Sequence, residues 1–414
     1  MPLRSPGRQA KNAIRLWEIT LGDACGTSKM SRVAELLARA CAATSLQDFG
    51  EDSFREGLER LVASADSEAR LSERGRAAFD MQIVDLLSWR LQIEHWYRVH
   101  PEIDSQEIVA PLFGLGLPRT GSTALSCLLA EDPAARSIRS WEARFPCPPP
   151  ETATELSDAR IEQAQRAMQQ RDQVFPRMRI MVPSSARSPT ECLTFMAYDF
   201  KSQLFLAFAQ LPSYVEWLIH EADLVPTYRY VKRVLKLLQW RCPPTRWRLK
   251  SPAHTLFIDA LLQVFPDARF WITHRDIAAV IPSVADLYFE MAKAFSDHVD
   301  KSYLGRLNTD MWALGLRRLI DYRDGRGDRE DRENRRFFDI QFATFQRDPF
   351  PILAQLYQFL GEELTDEAKR RMQTWRRNTP RDKHGVHSYD ASDFGIDPTQ
   401  LRQQFRFYTE RFQL

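Results

Sequence analysis

Residues 111–132, PLFGLGLPRTGSTALSCLLAED, constrain the fold more than any other part of this chain. The apolar run Leu112, Phe113, Leu115 is short enough to be a buried parallel strand. Gly116-Leu117-Pro118-Arg119-Thr120-Gly121 breaks it, and residues 122–130 read as a helix that Asp132-Pro133 ends, because proline disfavours helical backbone in the residue before it. A strand, a glycine turn and a helix N-terminus make an anion site, since unpaired N–H groups converge there and the helix dipole adds about half a positive charge. The spacing G-x4-G-S-T matches a phosphate-binding loop, with one departure. Ser122 stands where a nucleotide triphosphatase carries lysine, and the cation sits earlier, at Arg119.

A second set of elements repeats the strand-then-loop pattern. Trp247-Arg248-Leu249-Lys250 reads as a strand that runs into Ser251-Pro252-Ala253-His254. A helix over residues 256–264 follows, then Pro266-Asp267 and the apolar run Phe270-Trp271-Ile272, ending in Thr273-His274-Arg275-Asp276. Strand, helix, strand is the crossover unit of a parallel sheet, whose ligands gather at the carboxyl ends of the strands. Arg119, Lys250 and Arg275 therefore converge on one rim. Three cations there imply an anionic ligand with more than one charge.

The remaining sequence bounds this reading. A chain of 414 residues with 44% hydrophobic content can build a sizeable core, and its formal charge of +2 is too balanced to argue for nucleic acid or a membrane surface. Six cysteines without a CxxC pair favour a reducing, cytoplasmic setting, and no apolar run approaches the roughly 18 residues of a membrane span. Residues 1–105 read as a helical N-terminal extension and 106–414 as the α/β body. Ser53 with Glu56 forms a capping-box signature, and a long helix covers residues 68–100. The aromatic stretch from Phe195 to Trp217 reads as core, with an apolar acceptor pocket as the sharper alternative. Residues 321–336 form a solvated charged loop, and Phe337-Phe338-Asp339-Ile340 resumes a strand.

Taken together, GLPRTGSTAL, the WE followed by PPP, PTEC, WRLKSPAH, FPDARFWITHRD with PSV, RDPF and HSYDASDFGID resemble the PAPS-dependent sulfotransferases, in the bacterial-type branch with a helical N-terminal extension. PAPS is 3′-phosphoadenosine 5′-phosphosulfate. The resemblance implies a P-loop-like three-layer α/β fold with a central parallel sheet flanked by helices. It implies that Arg119, Thr120, Gly121, Ser122 and Thr123 hold the 5′-phosphosulfate, and that Arg275 and Ser283 hold the 3′-phosphate. Lys250 falls where many sulfotransferases set a lysine at the bridging oxygen. Lys383 and His387 fall on a C-terminal loop that closes over the nucleotide. Val386, where related chains tend to carry a basic residue, and Asp276-Ile277, in place of Asp-Pro, depart from the pattern.

The implied reaction sends a sulfonate group to a hydroxyl or amine of a small-molecule, lipid or carbohydrate acceptor. It releases 3′-phosphoadenosine 5′-phosphate (PAP) and needs no metal. Glu142, just past the loop beside Trp141 and the proline run, is the expected general base; His254 is the runner-up, and Arg139 or Arg144 is the expected partner of Glu142. Two other functions compete: a small-molecule kinase, which the absent loop lysine opposes, and a nucleotide-binding protein without turnover.

Overall fold

The computed structural model describes residues 31–244, 246–325, 335–380 and 389–414. Lys383, Val386 and His387, and the charged segment between residues 325 and 335, lie outside them.

Four strands form one parallel sheet: β1 (Leu112–Gly116), β2 (Arg248–Lys250), β3 (Arg269–His274) and β4 (Phe337–Gln341), in the order β2-β1-β3-β4. Their register sets Gly114 opposite Lys250, Gly116 opposite Thr273, and Thr273 opposite Ile340. The carboxyl ends of β1, β2 and β3 thus share an edge, as the crossover pattern requires.

Alternation of side chains divides the apolar residues between two faces. Leu112, Trp271 and Ile340 pack with Leu125 and Leu128 of α4 (Ser122–Leu129) and with Leu353 and Leu356 of α10 (Pro349–Leu360). Phe113, Leu115, Phe270 and Ile272 face the larger core. That core is built with α7 (Val225–Gln239), α8 (Ile277–Ala292) and α9 (Lys301–Asp324). Helices on both faces of a parallel sheet give the three-layer α/β architecture. The close approach of β1 to β3 depends on Gly114, where a Cβ would lie 2.2 Å from the Trp271 ring.

The N-terminal helices α1 (Arg32–Thr44), α2 (Ser53–Ser67) and α3 (Glu73–Val99) contribute Leu36, Phe54, Leu58, Phe79, Leu87 and Leu91 to the same core. Arg90 of α3 is wholly buried between the Phe54 and Tyr230 rings and donates to the carbonyls of Phe49, Glu51 and Tyr198. The capping box expected at Ser53 does not form. Ser53 donates instead to Asp199 at 2.5 Å, and Glu56 accepts from the Trp217 indole at 3.0 Å, so tertiary partners claim both side chains.

Phe195, Tyr198, Phe200, Phe205, Tyr214 and Trp217 are all buried in this core. They pack in the core, as the first of the two readings expects. The five described cysteines are free thiols, and no described helix is long and apolar enough to cross a membrane.

Candidate active site

The turn after β1 is shaped by backbone that most residues avoid. Gly116 and Gly121 adopt φ +93° and +85°, and Arg119 between them adopts +63°. A side chain at Gly121 would be strained by that φ and would also meet the Phe342 ring at 3.0 Å. Gly121 caps α4 without any side-chain acceptor, so among the described residues the first N–H groups of the helix carry no side-chain cap. Thr120 uses its hydroxyl to close the turn, bonding the Leu117 carbonyl at 2.7 Å and the Thr273 hydroxyl at 2.6 Å. Ser122 is buried at the first turn of α4, and Thr123 beside it is exposed.

Three of the sequence-derived ligands meet directly. Arg119 Nε donates to Ser283 Oγ at 3.1 Å, and Arg275 donates to the Arg119 carbonyl at 2.7 Å. The Arg275 guanidinium also lies 4.5 Å over the Phe342 ring, and Arg119 reaches the Met181 carbonyl of α6 (Pro176–Met181) at 2.5 Å. Burial lowers the pKa of Arg119, and the like charge of Arg275 lowers it further. Two guanidiniums drawn together at a helix N-terminus form a field that a multiply charged anion relieves. Asp276 caps α8 through the Ala278 N–H at 3.1 Å, a role indifferent to whether isoleucine or proline follows.

Lys250 stands at the carboxyl end of β2, close enough to act electrostatically on Cys127 of α4. Its ammonium donates to the carboxylate of Glu191, while its own carbonyl accepts from Cys192 N–H at 3.1 Å. Glu191 is partly exposed, with 28% of its side chain accessible, and it acts electrostatically on Tyr288 of α8. It is thus a carboxylate at the rim that keeps part of its surface open to solvent. In the sequence Glu191 stands within PTEC, two residues after Pro189, a weak local signal for a site residue.

Glu142 and His254 belong elsewhere. Glu142 lies in the short helix α5 (Ser140–Arg144) and is wholly buried. One oxygen pairs with Arg136, and the other accepts from the Arg139 N–H at 2.9 Å. Arg136 bridges to Trp247 at the amino end of β2 and donates to the Cys242 carbonyl at 2.9 Å, away from the carboxyl rim. Burial raises the Glu142 pKa as the flanking Trp141 suggested, and Arg136 opposes that shift. Glu142, expected as the general base, is thus a buried carboxylate bonded through both oxygens.

His254 is also fully buried, edge-on to Phe113 at 5.1 Å, with Nδ1 bonded to the Tyr228 hydroxyl at 2.9 Å and Nε2 without a partner. Burial drives its pKa down to about 3. The ring packs behind β1 and does not open onto the rim. Because the unfolded histidine binds a proton near pH 6.5 and the folded one does not, stability should fall as pH drops from 6.5 toward 3. The slope is at most about 1.4 kcal/mol per pH unit. Urea unfolding at pH 7, 6 and 5 should show this loss, and His254→Gln should flatten it; an unchanged slope in the variant would assign the acid sensitivity to other groups.

Among the described residues, no group of three or more histidine, cysteine, aspartate or glutamate side chains is arranged to hold a metal ion.

The sequence and the fold have counterparts. The model of the Sulfotransferase family matches residues 111–366, which span the loop, Lys250, Arg275 and all four strands. The structure of sulfotransferase STF9 from Mycobacterium avium aligns with a TM-score of 0.85 at 30% identity, covering 94% of this chain and 99% of that one. Sulfotransferase STF1 from Mycobacterium tuberculosis H37Rv aligns with a TM-score of 0.80 at 29% identity, covering 91% and 98%. No curated protein sequence matches the chain. With a family match over more than half its length and a fold shared from end to end with STF9, the chain belongs to the sulfotransferase family.

Proposed function

We propose that this sulfotransferase uses PAPS as its donor and an alcohol or amine of a small molecule, lipid or carbohydrate as its acceptor. The observation that carries the reading is the meeting of Arg119, Arg275 and Ser283 at the uncapped N-terminus of α4. That donor set suits a ligand with two separate phosphate-like ends. The α4 N–H groups and Arg119 receive the 5′-phosphosulfate, and Arg275 with Ser283 receives the 3′-phosphate.

PAPS supplies the sulfonate: the acceptor oxygen bonds to sulfur as the bond from sulfur to the bridging oxygen breaks, and PAP departs. Lys250 faces the charge that grows on the departing oxygen, and the fixed N–H groups of the loop stabilise it without reorganising. Glu191 takes the acceptor proton. Its pairing with Lys250 aims the carboxylate, and its exposure leaves room for the acceptor.

Incubation with sulfur-35-labelled PAPS and a small-molecule extract tests the reading. Label should move into an organic product in step with PAP release. Tight PAPS binding with no transfer to any fraction would instead favour a nucleotide-binding protein without turnover.

A further inference from the structure

Arg177, Asp286 and Glu290 form a cluster of charges that the reaction scheme does not use. Ser283, Asp286 and Glu290 follow one another on α8 at the i, i+3, i+7 spacing that keeps side chains on one helix face. Both carboxylates are buried, with 7% and 9% of their side chains accessible. Arg177 of α6 reaches across to the two of them. One guanidinium nitrogen donates to Asp286 Oδ2 at 2.7 Å, and the other donates to Glu290 Oε1. Glu290 also accepts from Lys293 at 3.4 Å.

The far end of α6 touches the site itself. Its last residue, Met181, gives its carbonyl to Arg119 Nη1 at 2.5 Å, while Arg119 Nε donates to Ser283 Oγ at 3.1 Å. The bonds therefore close into a ring that runs from α8 to Arg119, from Arg119 to α6, and through Arg177 back to α8. Met178 and Met181 are buried, which seats α6 against the body. Two acids one turn apart on a buried helix face repel each other and lose hydration, so apolar residues would pack there at least as well. What a buried charge cluster can add is the choice of one geometry. Here that geometry is the seat of α6, and the guanidinium fork meets both carboxylates, which a lysine could not do.

We infer that Arg177 is a positioning residue: clamped to Asp286 and Glu290, it fixes the Met181 carbonyl and so orients Arg119 toward the 5′-phosphate end of the donor. Arg119 needs such a brace in the ligand-free protein, because the like charge of Arg275 pushes against it. The inference rests on the reading of Arg119 as the 5′-phosphosulfate ligand.

Two variants that change charge in opposite directions test it. Arg177→Met removes a cation, and Asp286→Ala combined with Glu290→Ala removes two anions, of which Asp286 is close enough to act electrostatically on Arg119. Both release α6. Affinity for AMP and for PAP should fall about three- to tenfold in each, while adenosine 3′-phosphate, which lacks the 5′ group, should bind as in the wild type. A field effect alone would weaken AMP in Arg177→Met and tighten it in the double variant. That pair of results overturns the inference, as do equal losses of all three nucleotides or no loss in either variant. If Arg177→Met does not fold, the direction of the change in the double variant decides. Methyl NMR signals of Met178 and Met181 read the seat of α6 without nucleotide and should shift in both variants. If Arg119→Ala binds AMP as the wild type does, the nucleotide reading fails; the methyl signals then decide the clamp, and unshifted ones overturn it.

Discussion

Glu191→Gln should lower turnover by about 10²–10⁴-fold while PAP affinity stays near that of the wild type. The amide keeps the shape of the side chain and an oxygen for Lys250, so the loss reports the missing base and not a collapsed loop. A carboxylate base must be ionised to work. The wild-type kcat/KM should therefore fall on the acid side of the pH profile, and that limb should vanish in the variant. If Glu191 only anchored Lys250, the limb would persist in the variant and Lys250→Met would reproduce its loss. Near-full turnover in Glu191→Gln would send the proton to another group.

Glu142→Gln is expected to do the opposite. The substitution leaves Arg136 buried with its countercharge removed, and breaking a buried pair in this way costs about 3–5 kcal/mol. Arg136 then keeps its bonds to the Cys242 carbonyl and thiol and a longer approach to Glu155 at 4.0 Å, while among the described residues its Nε lacks a partner. Urea unfolding should show the loss, while the folded fraction retains PAP affinity and turnover per active site. A variant that is fully stable but inactive would restore Glu142 as the base. The two glutamates, read side by side, separate chemistry from architecture.

The contrast also marks how far the sequence carried. The strand, turn and helix around Arg119 were legible because proline, glycine and apolar periodicity are local signals, and the crossover to Arg275 followed from the handedness and parallel pairing of such units. The rim of Arg119, Lys250 and Arg275 needed nothing further. The partner of Glu142 was not legible, because it is Arg136, whose side chain turns toward Cys242, while the sequence offers Arg139 and Arg144 as nearer candidates. The pairing of Glu191 with Lys250 was not legible, because it is a contact across 59 residues that no period announces. Ser53 and Glu56 carried a valid local signature, and Asp199 and Trp217 outbid it. His274 packs at the end of its strand, and its bond to the C-terminal helix depends on where residue 408 returns to the sheet.

The central claim is that Arg119, Arg275 and the α4 N-terminus bind a nucleotide by both of its ends. Calorimetric titration of PAP and AMP in EDTA, with the wild type and Arg275→Ala, tests it most directly. The account predicts that PAP binds without metal and more tightly than AMP. Arg275→Ala should remove most of that preference, weakening PAP by roughly 2–5 kcal/mol and leaving AMP nearly unchanged. Equal affinities of the wild type for PAP and AMP, binding that disappears with EDTA, or equal losses of both ligands in Arg275→Ala would contradict it.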